Sequence, residues 1–354
     1  MIFFNRILCN KIHRLIIFLL VGLLLSQLTF AQGKKFTLEG RVIDKQSGEP
    51  LVLVNVYLSE TTLGAATDKN GNFKISDVPQ SLFSLVASAI GYEHQIVAVD
   101  LRKGINKFIE IKLTPKTYEL GEISVKDRTD ENWKKQLQFF EKLFFGNNEF
   151  AKNCKIIDPY QINFEETALL FTAEAALPLK ILNNALGYEI ECILKYFQYD
   201  KRKRSLAYTI LPKFKEMVSA DKDSMDTFLE NRKKAYFGST THLLSSLAKG
   251  KFNYRDEGFV LRLDSGPVGK SDEIVKRDSA NNLYYLNYSG CMTVQYWVAG
   301  LRSSSKICLK YGSTEFSSDG YLMFPGEFEI SGAMTKEGVA TQLPRFLEIS
   351  NRND

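Results

Sequence analysis

The chain has 354 residues, with 46 lysines and arginines against 41 aspartates and glutamates, a formal net charge of +5. Arg6, Lys11 and Arg14 hold three of those charges within the first 31 residues, so the remainder carries only +2. A near-neutral body excludes generic nucleic-acid binding on electrostatic grounds, and this length favours two domains.

Residues 1–31 read as a secretory signal. The three basic residues precede an apolar run over residues 15–25, and a small, polar stretch leads to a cleavage bond at Ala31-Gln32. The run is short against the roughly 20 residues of a membrane span, which sets the signal reading against that of an uncleaved anchor. Cys9 lies upstream of the run and no cysteine follows at the cleavage region, so a lipoprotein anchor is not expected. The expectation is export to the periplasm, the periplasmic face of an outer membrane or the medium, with no transmembrane span after signal cleavage.

Residues 37–44, 52–59, 64–67, 72–75, 82–90, 95–101 and 107–113 are short β-rich runs separated by turn residues. Seven strands at this spacing, with no helical period between them, predict a small β-sandwich. Asn70-Gly71 predicts a tight type I′ hairpin, and Ser47-Gly48-Glu49-Pro50 a second turn. Asp68, Asn70 and Asn72 look like the start of a calcium loop, but no bidentate acid closes the pattern, and the turn reading is preferred.

The runs GRVID, SGEPL, VNVYL, TDKNGNF and IGY between Gly40 and Tyr92 resemble the carboxypeptidase regulatory-like domain, a transthyretin-like β-sandwich. The resemblance spans about residues 36–115 and implies the company this domain keeps in exported Bacteroidota proteins. That company includes TonB-dependent outer-membrane receptors; the domain itself carries no peptidase residues. In such receptors a segment similar to Leu120-Gly121-Glu122-Ile123-Ser124-Val125 leads into a plug and barrel. Here a charged stretch over residues 126–132 opens a helix instead, so transport does not carry over.

From Glu131 the period becomes helical, with Trp133, Leu137, Phe140 and Phe144 recurring until Gly146 stops the helix. A sheet follows from residues 160–164, 168–175, 188–199 and 205–218. Within it Ile190, Cys192, Leu194 and Tyr196 alternate with Glu189, Glu191, Ile193 and Lys195, the period of a half-buried strand. Two helices come next. Asp223 or Ser224 caps the first, with Met225, Phe228, Leu229 and Tyr236 on one face; Ser239 caps the second, which buries Leu243, Leu244 and Leu247 and ends at Gly250. Strands return at 259–263, 283–288, 292–298, 306–311, 321–324 and 327–330. The predicted fold is a transthyretin-like β-sandwich of seven strands followed by an α+β domain with a long curved antiparallel sheet. Its divisions are a signal peptide over 1–31, the sandwich over 34–115, a linker over 116–130 and the α+β domain over 131–354. The stretches LGYEIECILKYFQY and ENRKKAYFGSTTHLLSSL resemble a second domain of uncharacterised exported Bacteroidota proteins, which implies no activity and no site residues.

No catalytic constellation emerges. His94 and His242 lack metal-ligand spacing, and His242 reads as a packed or capping residue. Ser303 and Lys306 match S-x-x-K spacing, but the segment reads as a loop without the partner motifs. Residues 266–271 suggest a phosphate loop, yet Asp264 stands where its leading glycine belongs, and a turn is the simpler reading. Glu165-Glu166 and the Glu189, Glu191 pair are explained by a solvated strand face. Cys154, Cys192, Cys291 and Cys308 remain after signal cleavage. Cys291–Cys308 is the candidate disulfide, and four buried thiols are the alternative. Lys201, Arg202, Lys203 and Arg204 form a candidate basic contact patch at a turn between strands, for lipid headgroups or an acidic partner, or a merely solubilising tip. Tyr284-Tyr285, Tyr288 and Tyr296-Trp297 are able to stack on sugars, although strand propensity also accounts for them.

The reading is a non-catalytic exported binding or scaffold protein of the cell envelope, with no cofactor and no metal. Its expected partner is an envelope protein, a glycan or an apolar ligand, and no nucleic acid. The rivals are an envelope hydrolase acting on glycan or peptide, and an accessory component of a TonB-dependent uptake system.

Overall fold

The computed structural model describes residues 35–104, 108–116, 130–218, 221–298, 300–347 and 349. The signal segment, the interior of the 116–130 linker with its 120–125 stretch, and the chain end lie outside the described residues.

Seven strands form the N-terminal β-sandwich: β1 (Lys35–Asp44), β2 (Asn55–Leu58), β3 (Gly64–Ala66), β4 (Asn72–Pro79), β5 (Leu82–Ser88), β6 (Gln95–Asp100) and β7 (Ile109–Leu113). One sheet runs β4-β1-β7, with β1 and β7 parallel; the other runs β3-β2-β5-β6. Alternation along β1 places Phe36, Leu38 and Val42 on the inner face against Val56, Leu58, Leu85 and Ile111. The turn at Asn70-Gly71 is not a hairpin. It joins β3 of one sheet to β4 of the other, and of the two residues only Gly71 has positive φ, whereas a type I′ turn needs both. Asp68 organises this corner by accepting hydrogen bonds from the amides of Asn70 and Asn72, both at 2.8 Å. The loop therefore spends its acid on its own backbone. The Ser47–Pro50 turn forms as expected, with Asp44 accepting from the amides of Gln46 and Ser47.

Beyond the sandwich, α1 (Glu131–Phe144) begins where Asp130 accepts from the Trp133 amide. Its apolar face lies on an antiparallel sheet of β8 (Cys154–Ile156), β9 (Ile162–Glu166), β10 (Leu170–Ala175), β11 (Leu179–Asn183), β12 (Tyr188–Asp200) and β13 (Ser205–Glu216). Phe140, Phe144, Phe171 and Phe197 are essentially enclosed here, each contributing roughly 2–3 kcal/mol through burial. The Phe140 ring stands 4.8 Å from Phe144 and 4.7 Å from Phe197.

Strand β12 departs from simple alternation. A register shift between Leu194 and Tyr196 leaves Lys195 as an extra residue, so facing is exchanged beyond it. Phe197 is buried, and Tyr196, expected on the same face as Ile190, Cys192 and Leu194, is 45% exposed. Ile193, expected on the half of the strand that carries the glutamates, is also buried, because the sandwich covers that face.

Helix α2 (Lys222–Tyr236) is capped by Asp221, whose carboxylate accepts from the Ser224 amide; neither Asp223 nor Ser224 is the cap. Of its expected apolar face Met225, Phe228 and Tyr236 are half-buried, whereas Leu229 is 48% exposed; the fully buried residues are Arg232 and Ala235. Helix α3 (Thr240–Lys249) is capped by Ser239 and ended by left-handed Gly250, and it buries Leu243, Leu244 and Leu247 as expected.

A further core gathers around α3 from strands β14 (Phe259–Leu263), β15 (Gly266–Pro267), β16 (Val275–Asp278), β17 (Leu283–Asn287), β18 (Cys291–Val298), β19 (Leu301–Leu309), β20 (Ser313–Phe316) and β21 (Phe328–Gly332). They form a five-stranded sheet, β15-β14-β18-β19-β21, and a three-stranded one, β16-β17-β20. Residues 321–324 are not a strand: Ser317 turns the chain back by donating its amide to the Tyr321 carbonyl, and only a single bridge, Phe316 to Leu322, survives. No helix among the described residues is long and apolar enough to cross a membrane.

Candidate functional site

The residues that carry unusual chemistry converge on the contact between the sandwich and the rest of the chain. Residues 59–61, just after β2, lie along the free edge of β13. The Glu60 amide donates to the Pro212 carbonyl at 2.6 Å, and the Phe214 amide donates to the Thr61 carbonyl at 2.9 Å. A sheet edge that would otherwise offer unpaired amides is thus covered. Tyr57, fully buried, donates its hydroxyl to the Leu211 carbonyl at 3.0 Å and packs with Val86 and Ile193. Beside it Lys213 donates to Asn55 Oδ1 at 2.6 Å, and Asn55 Nδ2 donates to Glu191 at 3.1 Å.

The second half of the contact comes from the end of the chain. Residues 333–345 run as a strap. Glu337 accepts from the Thr240 amide at the start of α3, and the Ala340 carbonyl accepts from Asn183 at the end of β11. The Arg345 amide then donates to the Glu60 carbonyl at 2.7 Å. The Arg345 guanidinium donates to Asp319 at 2.8 Å, the Leu82 carbonyl at 3.0 Å and Ser81 Oγ at 2.8 Å, while lying over the Phe83 and Tyr321 rings. One side chain therefore joins the sandwich to the turn after residue 316. Burial pushes the Glu60 carboxyl up to about 7 against the pull of Arg345, and Asp319 adds to the push. Burial also raises Glu337 to about 7, opposed by its hydrogen bonds from Thr240.

The residues considered for hydrolysis do not meet. Glu189 pairs with Lys215 at 2.9 Å, and Glu191 belongs to the Asn55 contact. His242 is buried in the core around α3, its Nδ1 accepting from the Gly238 amide at 3.0 Å and its Nε2 lying 3.0 Å from Glu257. It packs as expected, though Ser239 is the cap. His94 lies 3.3 Å from Lys195 in the contact with the sandwich, and burial lowers its pKa. Ser303 and Lys306 sit inside β19 rather than in a loop, and three residues apart on a strand they point to opposite faces. In the 266–271 turn, Glu273 accepts from the Gly269 and Lys270 amides, so the donors a phosphate would need are taken. Among the described residues no group of three His, Cys, Asp or Glu is placed to hold a metal ion.

The basic tip is only partly available. Lys201 is tied to Glu166 at 2.6 Å and to the Thr167 carbonyl, while Arg202, Lys203 and Arg204 are exposed. Cys291 and Cys308 stand opposite each other in register on β18 and β19, their Cα atoms 4.1 Å apart and their sulfurs bonded. Cys154 and Cys192 are thiols held high in pKa by burial. A groove of about 400 Å³ between α2 and the chain end is lined by Leu229, Arg232, Lys233 and Leu347. Its one buried cation, Arg232, is committed to the Leu186 carbonyl at 2.8 Å and to the face of Tyr188.

Sequence reasoning missed Tyr57, Glu60, Asp319 and Arg345 altogether. No local signal marks them, since they lie in three separate stretches of the chain.

Comparison with known proteins assigns the first part only. Over 90 residues the chain is 37% identical to the TonB-dependent receptor SusC of Bacteroides thetaiotaomicron, a match covering 25% of this chain and 8% of that protein. Over 109 residues it is 31% identical to Bacillopeptidase F of Bacillus subtilis, covering 30% of this chain and 7% of that protein. The chain thus spans less than a tenth of the length of either relative. Among solved structures, a putative membrane-associated protein of unknown function from Bacteroides fragilis aligns over 84% of this chain and 96% of its own, at 14% identity and a TM-score of 0.19. A putative carbohydrate binding protein from Bacteroides uniformis aligns over 75% of this chain and 90% of its own, at 8% identity and the same TM-score. Residues 38–125 match the family model of the CarboxypepD_reg-like domain, and the sandwich with which this chain begins is a domain of that kind.

Proposed function

We propose that this chain is an exported cell-envelope protein that binds or scaffolds without catalysis. In this reading the sandwich, ending near residue 115, is a docking module, and the α+β part from residue 131 meets the ligand or partner. The observation that carries it is the contact built by Tyr57, Glu60 and Arg345. The Tyr57 hydroxyl and the Arg345 guanidinium are spent on holding two parts together, and Glu60 joins them through its backbone amide and carbonyl. The test is incubation of the folded protein with glycoside, ester and peptide substrates. Turnover that a single substitution abolishes sinks the reading; its absence across the panel supports it.

A second reading, an accessory component of an outer-membrane TonB-dependent uptake system, draws on the likeness of the sandwich to part of SusC. Cross-linking in intact envelopes that recovers a receptor favours it, and repeated failure to recover one counts against it.

A further inference from the structure

The five-stranded sheet turns one face to the core around α3 and the other to solvent. On β18 and β19 the two faces separate cleanly: Met292, Val294, Tyr296, Ile307 and Leu309 are buried, while Trp297, Gln295, Arg302, Ser304 and Lys306 point the other way. Cross-strand register sets Trp297 opposite Arg302, Gln295 opposite Ser304 and Thr293 opposite Lys306. On the neighbouring strand Arg262 is opposite Thr293. The outer face is therefore a block of one half-buried indole, three cations and a row of amide and hydroxyl groups.

Charge decides what fits it. Arg262, Arg302 and Lys306 are exposed, and none forms an ion pair among the described residues. The strands oppose them on this face with one carboxylate, Glu329, at the far edge opposite Cys308. Unpaired cations spread over neighbouring strands, with same-face residues about 7 Å apart along each, match a polymer that repeats its negative charge. The Arg302 guanidinium lies 5.7 Å from the Trp297 ring centre, and Tyr254, 57% exposed, meets that ring edge-on at 6.1 Å. An aromatic surface beside a fixed guanidinium suits a ring with a C–H face and a carboxylate at its rim. A lipid surface would instead demand an apolar patch able to insert, and on these strands this face offers mainly Val260 and the indole.

We propose that this outer face binds acidic polysaccharide, with Trp297 stacking on a sugar ring and Arg302, Lys306 and Arg262 pairing with successive acid groups. The proposal rests on the non-catalytic binding reading and names its ligand class. The deciding experiment is affinity electrophoresis of the purified protein through polygalacturonate, alginate and chondroitin sulfate. Fully methyl-esterified polygalacturonate and polyglutamate serve as controls, and phosphatidylglycerol vesicles are tested by co-sedimentation. At least one acidic glycan retards the protein, and the esterified polymer does not. Trp297→Ala, Arg302→Gln and Lys306→Gln each weaken binding about tenfold, the last two at exposed positions where folding is not at stake. Replacing Arg202, Lys203 and Arg204 by glutamine leaves it unchanged. No retardation by any acidic glycan, equal retention by polyglutamate or vesicles, or indifference to Arg302→Gln and Lys306→Gln overturns the proposal. Cleavage of a bound glycan would instead refute the non-catalytic reading and leave the binding face standing.

Discussion

Arg345 and Asp319 form a buried ion pair, 2.8 Å apart with side-chain exposures of 6% and 14%, at the place where the sandwich meets the rest of the chain. The same guanidinium reaches Ser81 and Leu82 of the sandwich, so the pair cannot break without loosening the contact. Removing one partner strands the other charge in protein. Arg345→Met is therefore expected to cost about 3–5 kcal/mol, measured by urea denaturation. Its unfolding should also split, with the sandwich separating from the α+β part, whereas the natural protein is expected to melt in one transition.

Glu60 makes that contact pH-dependent. Its carboxyl is raised from 4.5 to about 7 in the folded protein, so the folded state holds the proton more tightly than the unfolded chain. Its contribution is fully present below pH 4.5 and is lost as pH rises through about 7. Glu60→Gln keeps the neutral form at all pH values. The variant should match the natural protein near pH 4.5 and exceed it at pH 8 by on the order of 2 kcal/mol, in paired denaturation curves.

Gly320 has φ +83°, and an added Cβ would lie 2.2 Å from the Thr241 carbonyl oxygen of α3. The turn that presents Asp319 to Arg345 is thus pressed onto the first turn of that helix. Gly320→Ala should cost about 2–4 kcal/mol, from the overlap and the left-handed backbone together. Calorimetry checks this against Gly300→Ala, which meets nothing within 4 Å.

Ser239 accepts from the His242 amide at 3.1 Å and caps α3. Ser239→Ala should lower stability by about 1 kcal/mol in chemical denaturation.

For the protein purified from an oxidising compartment, non-reducing peptide mapping should recover Cys291 joined to Cys308. At a sequence separation of 17, Cys291→Ser should cost about 3 kcal/mol. Cys192→Ala, at a buried thiol, should leave the mapping pattern intact.

Much of this architecture is legible in local pattern. The seven strands of the sandwich, the cap and stop of α3, and the helix from Glu131 follow from alternation, capping side chains and glycine. What escapes is set by tertiary contact. One extra residue at Lys195 exchanges the facing of Phe197 and Tyr196, and no propensity encodes a bulge. Ile193 looked like part of a solvated strand face because the sandwich that covers it lies over a hundred residues earlier. The Asn70-Gly71 signal was genuine for a turn, but whether a turn joins partners or crosses between sheets depends on pairing. Arg345 reads as one more surface cation until the sandwich and Asp319 close around it. Trp297 is legible in the sequence as an aromatic able to stack on a sugar, but the face it shares with Arg302 and Lys306 needs the register.

Binding without turnover is tested most directly when both are followed in one measurement. The purified protein is equilibrated with reducing-end-labelled acidic oligosaccharides, and bound ligand and chain length are followed together over a day. Saturable binding, weakened by Arg302→Gln, is expected, with the oligosaccharide length unchanged. Progressive shortening that a single carboxylate substitution abolishes would contradict it.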